Sequence, residues 1–249
     1  MEDFGVFRGR HEIEFATDEK DRITVIVGGS GKGKTTIFNA IKNGLGFRGI
    51  EKLEDPSNAK SNVEIEGDKI TNEEEIELCL FLDGEYRIDE KMKRFTKENV
   101  DDSFIDEMNE LFTKSGSFQQ HLHFARNENS ISYFQENDLV YHPSAYHSVL
   151  KNIIFWTVLR KRVAPKSFLI ADSLFHNMNN NSQRGVFEIL KETGLQIVLL
   201  ATDTEYRSHT TNDLNDPQMS LKEFITGQMN VREYNLISTE EGTKIELIY

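Results

Sequence analysis

At 249 residues the chain is long enough to bury a substantial core in one α/β domain or two closely packed lobes, and too short for a mosaic of independent modules. Charged residues make up 29% and hydrophobic residues 37%, and no apolar run approaches the roughly 18 residues of a membrane span, so a soluble protein with no membrane partner is expected. A formal net charge of −13 excludes a surface that binds nucleic acid throughout, because phosphate contacts need clustered Lys and Arg; any DNA contact is local or supplied by partners.

The first residues, Met1-Glu2-Asp3-Phe4-Gly5, have neither the basic region nor the apolar run of a signal peptide, and Cys79, the one cysteine, cannot form an internal disulfide. A reducing, cytoplasmic setting is expected. Glu12-Ile13-Glu14-Phe15 alternates as a half-buried strand does, and residues 22–27 form an apolar strand that runs into glycines. A helix starts at Lys34, with Ile37, Phe38, Ile41 and Leu45 on one stripe. Residues 51–62, with Pro56, are a loop. Ile76, Leu78, Leu80 and Leu82 alternate, Asp83-Gly84 supplies a turn and residues 86–94 return, which predicts a β-hairpin.

Residues 96–120 are acidic, then polar, and Lys114-Ser115-Gly116-Ser117 forms a flexible stretch. The lobe boundary falls there, giving lobes 1–114 and 115–249. A mixed segment with Ile131 and Tyr133 follows, then a long apolar helix over 144–160 and a strand over 167–171. Ser182 is placed to cap a helix running to Thr193, Gly194 to end it, and residues 195–201 form another buried strand. Residues 233–238 and 244–249 around Glu241-Gly242 predict a closing hairpin. No internal repeat and no sustained heptad is present.

Gly28-Gly29-Ser30-Gly31-Lys32-Gly33-Lys34-Thr35 satisfies G-x-x-x-x-G-K-[ST] between an apolar strand and an amphipathic helix, the context a phosphate-binding loop requires. Glycines let backbone N–H groups wrap a β-phosphate, the helix N-terminus adds partial positive charge, Lys34 reaches the β and γ oxygens, and Thr35 ligates Mg²⁺. Mg²⁺ and a nucleotide are the expected ligands, and since such a loop alone does not separate kinases, GTPases and ABC-type ATPases, ATP is expected from the rest of the chain. The guanine-reading N-K-x-D and the protein-kinase H-R-D motifs are missing. Ser167-Phe168-Leu169-Ile170-Ala171-Asp172 is an apolar strand ending in a carboxylate, the Walker B arrangement, with Asp172 as the second metal-holding residue.

Phe4-Gly5-Val6-Phe7-Arg8-Gly9, the segment Glu12 to Phe15, the loop with its second threonine Thr36, and Asn39-Ala40-Ile41 together resemble the amino-terminal lobe of SMC, SbcC and RecF proteins. The resemblance implies a P-loop NTPase of α/β class: an ABC-type ATPase head with a mixed sheet, antiparallel strands in the N-terminal lobe, and two heads that sandwich two ATP molecules. It also implies that Ser144 stands at the signature serine, where its hydroxyl meets a nucleotide on the opposing copy. Only that serine survives of S-x-G-E in Ser144-Ala145-Tyr146-His147, and Ser144 also reads as a helix N-cap after Pro143. Asp172-Ser173 followed by Gln183-Arg184, and Leu199 to Glu205, are similar to the DndD-like group associated with DNA sulfur modification and phage restriction.

Several positions depart from the family. Ser173 stands where the family has the glutamate that orients water, and a hydroxyl is a poor general base near neutrality, so slow hydrolysis or another carboxylate, Asp203 or Glu205, is expected. Asp203 replaces the switch histidine of many ABC proteins and equally reads as a turn or helix cap; Asn179 falls at the D-loop aspartate. Arg8 and Arg10 are either near nucleotide or DNA, or solvated. The histidines His121, His123, His142 and His147 lack zinc-site spacing. Arg160-Lys161-Arg162 suits the negative end of a helix dipole. The absent coiled coil leaves open a naturally short junction, as in RecF-like heads, or an engineered splice. The expected function is a slowly hydrolysing ATPase head that forms an ATP-dependent homodimer, with DNA and other system subunits as partners, in DNA maintenance, modification or anti-phage defence. The alternative is an ATP-binding dimerisation module without significant hydrolysis.

Overall fold

The computed structural model describes residues 1–17, 22–44, 80–82, 100–114, 122–127, 130–140, 144–163, 168–175, 178, 180–208 and 219–248. The chain divides into two compact units that each draw on both sides of residue 115. One comprises Met1–Gly84, Lys166–His176 and Gln196–Tyr249; the other comprises Glu85–Pro165 and Asn177–Leu195.

The first unit is organised by β1 (Ile23–Val27), whose five residues are all buried. A strand buried on both faces is what a parallel sheet demands, and β1 lies parallel to β7 (Gln196–Ala201) on one side and β8 (Val231–Thr239) on the other. With β2 (Leu80–Leu82), β6 (Phe168–Asp172) and β9 (Gly242–Leu247) they form a six-stranded mixed sheet in the order β2-β6-β7-β1-β8-β9. Every pairing is parallel except β8 with β9, the expected closing hairpin. The predicted hairpin over 76–94 is described only at β2, which runs parallel to β6; its remaining residues lie outside the described ones, as do the expected loop at 51–62 and the Ser115-Gly116-Ser117 junction.

Alternate residues of four strands, Ile170, Val198 with Leu200, Ile26, and Tyr234 with Leu236, face one side of the sheet. There they bury Ile37, Phe38 and Ile41 of α1 (Lys34–Gly44), the stripe read from the sequence, together with Phe7. The expected strand at Glu12 to Phe15 does not form. Its inward-outward alternation is present, but side chains take its backbone groups: Tyr234 Oη donates to Glu14 O at 2.9 Å, Arg232 Nη1 donates to Glu14 O at 3.2 Å, Ala16 N donates to Thr24 Oγ1 at 2.8 Å, and Gln196 Nε2 donates to Ala16 O at 2.8 Å. With those partners the segment needs no ladder.

In the second unit, β3 (Leu122–Asn127), β4 (Ser130–Gln135) and β5 (Asp138–Leu139) form an antiparallel sheet. On α2 (Asp102–Lys114), Phe104, Ile105, Met108, Leu111 and Phe112 are buried at helical spacing, and Phe112 meets the rings of Phe124 at 5.2 Å and Tyr133 at 5.6 Å. Asn109 fixes α2 to β3 by donating to Phe124 O and accepting from Phe124 N. The long apolar helix is α3 (Ala145–Val163). Its basic end is consumed locally: Arg160 is fully buried, and Arg162 pairs with Asp101 at 2.8 Å and Glu107 at 2.6 Å while lying over the Phe104 ring. The Arg162 guanidinium holds the Asp101 carboxyl well below the usual carboxylate range. Helix α4 (Asn180–Glu192) begins two residues before Ser182, so Ser182 lies in its first turn and is not the cap, because the helix takes in the two preceding asparagines.

Phe7 is fully buried in the sheet–α1 core although it belongs to the N-terminal segment. Phe7→Ala should therefore cost about 3 to 5 kcal/mol in urea unfolding, as a large core truncation does; a loss below about 1 kcal/mol would show that this segment is not part of the core.

Candidate functional site

A parallel sheet delivers the carboxyl ends of its strands to one edge, and in the first unit β1, β6 and β7 end there at Val27, Asp172 and Ala201. The loop after β1 is pinned to the edge by Gly28 N donating to Ala201 O at 3.1 Å, and it turns back on itself through Lys32 N donating to Gly29 O at 3.3 Å. Ser30 and Gly31 are exposed at its tip. Lys32 donates from Nζ to Ser238 Oγ on β8. Gly33 has φ +95, and a Cβ there would lie 2.5 Å from Val6 and 2.8 Å from Phe7, so only glycine lets the N-terminal segment pack on the loop. The same segment meets the helix at Gly5, where a Cβ would lie 2.6 Å from Thr36 Cγ2. The structure thus places Thr36 against the N-terminal segment.

Lys34 opens α1 and is 8% exposed; its ammonium donates to Gly28 O at 2.8 Å and Gly29 O at 3.1 Å. Thr35 is exposed on the same first turn, and its Oγ1 donates to Asp172 Oδ2 at 2.7 Å. The two proposed metal-holding side chains are therefore brought together. Ser173 follows Asp172 with φ +56; its N–H donates to Leu200 O at 2.8 Å and its Oγ donates to Asp172 Oδ1 at 3.2 Å.

Beyond β7 the chain makes the short helix α5 (Asp203–Arg207), capped by Thr202 in a capping box with Glu205. Asp203 is thus the first helical residue and not the cap, and its Oδ1 accepts from Arg207 Nη1 at 2.8 Å. Glu205 Oε2 accepts from Thr202 N at 2.7 Å and from Thr202 Oγ1 at 2.8 Å, while Oε1 is buried. A cluster the sequence reading missed lies behind this turn. Glu233, 1% exposed, takes Arg207 on Oε1 and Lys222 on Oε2 at 2.8 Å, and Arg207 also donates to Asn235 Oδ1. Nothing local marks Glu233 as buried, because it stands in the mixed run Val231-Arg232-Glu233-Tyr234-Asn235 on the face opposite Tyr234 and Leu236; once buried, a carboxylate needs cationic partners. Arg10 pairs with Glu12 in the N-terminal segment, whereas Arg8 is exposed.

In the second unit, Ser144 caps α3: its Oγ accepts from His147 N at 3.2 Å and lies 2.7 Å from His147 Nδ1. The His147 ring is covered by Tyr133 and Tyr146, and burial holds its imidazole below the ordinary value. His123 stacks on Phe134. His121, His142, Pro143 and Asn179 lie outside the described residues. Among the described residues no group of three or more metal-ligating side chains of the His, Cys, Asp and Glu kind occurs, and no helix is long and apolar enough to cross a membrane.

A phosphate-loop geometry backed by an acidic strand end on a mixed sheet defines a P-loop fold. The family model described as AAA domain matches residues 1–226, and the chain belongs to that family. Among solved structures, an SMC head bound to the C-winged helix domain of ScpA has a TM-score of 0.62 at 14% identity, over 98% of this chain and 95% of that one. The SMC head domain from Thermotoga maritima has a TM-score of 0.56 at 13% identity, over 100% and 97%. No curated protein matches the chain.

The depressed His147 value has a defined sign in the pH dependence of stability. As pH falls, the unfolded histidine binds its proton near the ordinary 6.5 while the folded one does not, so stability is present above that value and is lost towards the lower folded value. His147→Gln keeps an S-x-x-Q capping pattern and removes the titration. It should flatten the fall in Tm between about pH 7 and pH 5; an unchanged acid limb would show that His147 does not contribute to it.

Proposed function

We propose that the chain is an ATP-binding head that closes face to face with a second copy around Mg²⁺-ATP and hydrolyses it slowly. The observation that carries this reading is the contact of Thr35 with Asp172 at 2.7 Å beside the loop that holds Lys34. A hydroxyl and a carboxylate offering oxygens on one spot suit Mg²⁺, a hard cation that keeps several waters and takes few protein ligands. Thr35 and Asp172 would hold that ion, which when bound supplies charge neutralisation between the β- and γ-phosphates.

The roles of the remaining residues follow from their places. Backbone N–H groups of Gly29, Ser30, Gly31 and Gly33, with the first turn at Thr35 and Thr36, cradle the phosphates, while the Gly28 and Lys32 N–H groups hold the loop's shape on Ala201 O and Gly29 O. Lys34 swings its ammonium from the loop carbonyls to the γ-phosphate and stabilises charge that develops as water attacks in line. Ser144 presents its hydroxyl and the α3 N-terminus to the nucleotide of the opposing copy. The proposed lobes are 1–114, carrying Lys34, and 115–249, carrying Ser144 and Asp172.

Slow turnover is supported by what the acidic residues already do. Asp203 is engaged by Arg207, Glu205 by its capping box, and Ser173 has no carboxylate to offer. Loss of general-base assistance typically costs about 10² to 10⁴ in rate. The same observation favours a second reading, a dimerisation module that binds ATP without significant hydrolysis. The DndD-like affiliation, with a role in DNA sulfur modification or phage defence, rests on Asp172-Ser173 and the segment from Leu199 to Glu205. DNA and further system subunits are the proposed partners.

Light scattering with a non-hydrolysable ATP analogue and Mg²⁺, run beside phosphate release from ATP, tests the reading. The expected outcome is a dimer for the wild type, a monomer for Lys34→Ala with affinity weakened by about 100-fold or more, and slow phosphate release. A wild-type monomer at saturating analogue would end the sandwich model, and phosphate release no greater than background would select the non-hydrolysing module.

A further inference from the structure

Ser173 combines two features that its replacement of a glutamate does not explain. It is one of three non-glycine residues with positive φ among those described, and it is the one at the phosphate-loop edge of the sheet. Left-handed backbone is unfavourable for a residue with a Cβ and persists where the surrounding structure holds it. Here the holding contact is Ser173 N donating to Leu200 O, which carries the β6–β7 pairing one residue past the strand. The turn then brings the side chain back over the preceding residue, so that Ser173 Oγ donates to Asp172 Oδ1 at 3.2 Å.

Asp172 is consequently held by both oxygens, Oδ1 by its own neighbour and Oδ2 by Thr35 Oγ1 at 2.7 Å. A serine hydroxyl has one proton to donate, and this one is directed at the carboxylate. A carboxylate at a strand end otherwise turns freely about its terminal torsion, which is broad and roughly two-fold. With one oxygen tethered, that freedom is removed and the other stays on the threonine.

We infer that Ser173 is a positioning residue for the metal-binding carboxylate: its left-handed backbone and its hydroxyl fix Asp172 so that Oδ2 remains aligned with Thr35 for a divalent cation. The inference rests on the reading of Thr35 and Asp172 as the Mg²⁺-holding pair. It gives the position a function different from general-base catalysis, namely coupling of the metal to nucleotide binding.

Two variants separate the hydroxyl from the backbone. Ser173→Ala removes the tether and keeps the unfavourable φ; Ser173→Gly removes the tether and relieves it. Calorimetric affinity for a non-hydrolysable ATP analogue is measured with Mg²⁺ and in EDTA, and Tm is measured for the ligand-free protein. The ratio of the two affinities should fall about tenfold or more in both variants, as loss of one hydrogen bond to a charged group implies, while Tm rises for Ser173→Gly alone. Metal coupling and stability then move in opposite directions, which a merely structural residue would not produce. A Mg²⁺ ratio within twofold of wild type in both variants would overturn the inference, as would recovery of the ratio in Ser173→Gly but not in Ser173→Ala. Failure of the wild type itself to bind the analogue with Mg²⁺ would instead overturn the nucleotide-site reading beneath it.

Discussion

The hydrogen bond from Thr35 to Asp172 spans 137 residues of sequence, and the organisation of the first unit makes it possible. β1 and β6 are separated in the sheet by β7 alone, and all three run parallel, so the loop after β1 and the carboxylate after β6 emerge at the same edge. Each neighbouring constraint serves that meeting. α1 is seated by its Ile37, Phe38 and Ile41 stripe, which fixes where its first turn points, and Phe7 with Gly33 keeps the N-terminal segment against the loop. If α1 rotated on the sheet, Thr35 would leave Asp172 while Lys34 lost the Gly28 and Gly29 carbonyls together.

The face of the sheet away from α1 is stabilised differently. Glu233 is buried on β8 between Arg207 of α5 and Lys222 of α6 (Leu221–Thr226), and this arrangement ties the turn after β7 to the far side of β1. A buried carboxylate is costly unless both oxygens are met, so removing either cation leaves a strongly destabilised group, although the cluster as a whole adds little beyond an apolar equivalent. Its value lies in geometry, because it holds α5 so that Asp203 and Glu205 are turned to Arg207 and Thr202.

Local pattern made β1, the loop, α1, β6, β7 and the closing hairpin legible, because each is written in contiguous residues: an all-apolar run, a fixed glycine spacing, a helical stripe. The features that were not legible depend on partners remote in sequence. Alternation at Glu12 to Phe15 predicted a strand, yet Tyr234, Arg232, Thr24 and Gln196 supply the hydrogen bonds a ladder would have given. Ser182 looked like a cap because nothing local distinguishes it from two preceding asparagines that the helix takes in. Arg160-Lys161-Arg162 stands in the last turn of α3, as the helix-dipole reading expects, but the burial of Arg160 and the pairing of Arg162 with Asp101 and with Glu107 on α2 depend on residues far off in the chain. The interleaving of the two units across residue 115 is likewise a property of contacts, invisible to composition.

Thr35 and Asp172 are proposed to act as one metal-holding pair beside the phosphate loop. Electron paramagnetic resonance of Mn²⁺ titrated into the protein with a non-hydrolysable ATP analogue tests this most directly. The account predicts one protein-bound Mn²⁺ per chain that requires the analogue, and a large loss of that bound population in Asp172→Asn, which keeps the side-chain shape and removes the charge. Mn²⁺ bound as tightly in Asp172→Asn as in the wild type, or bound equally without the analogue, would contradict it.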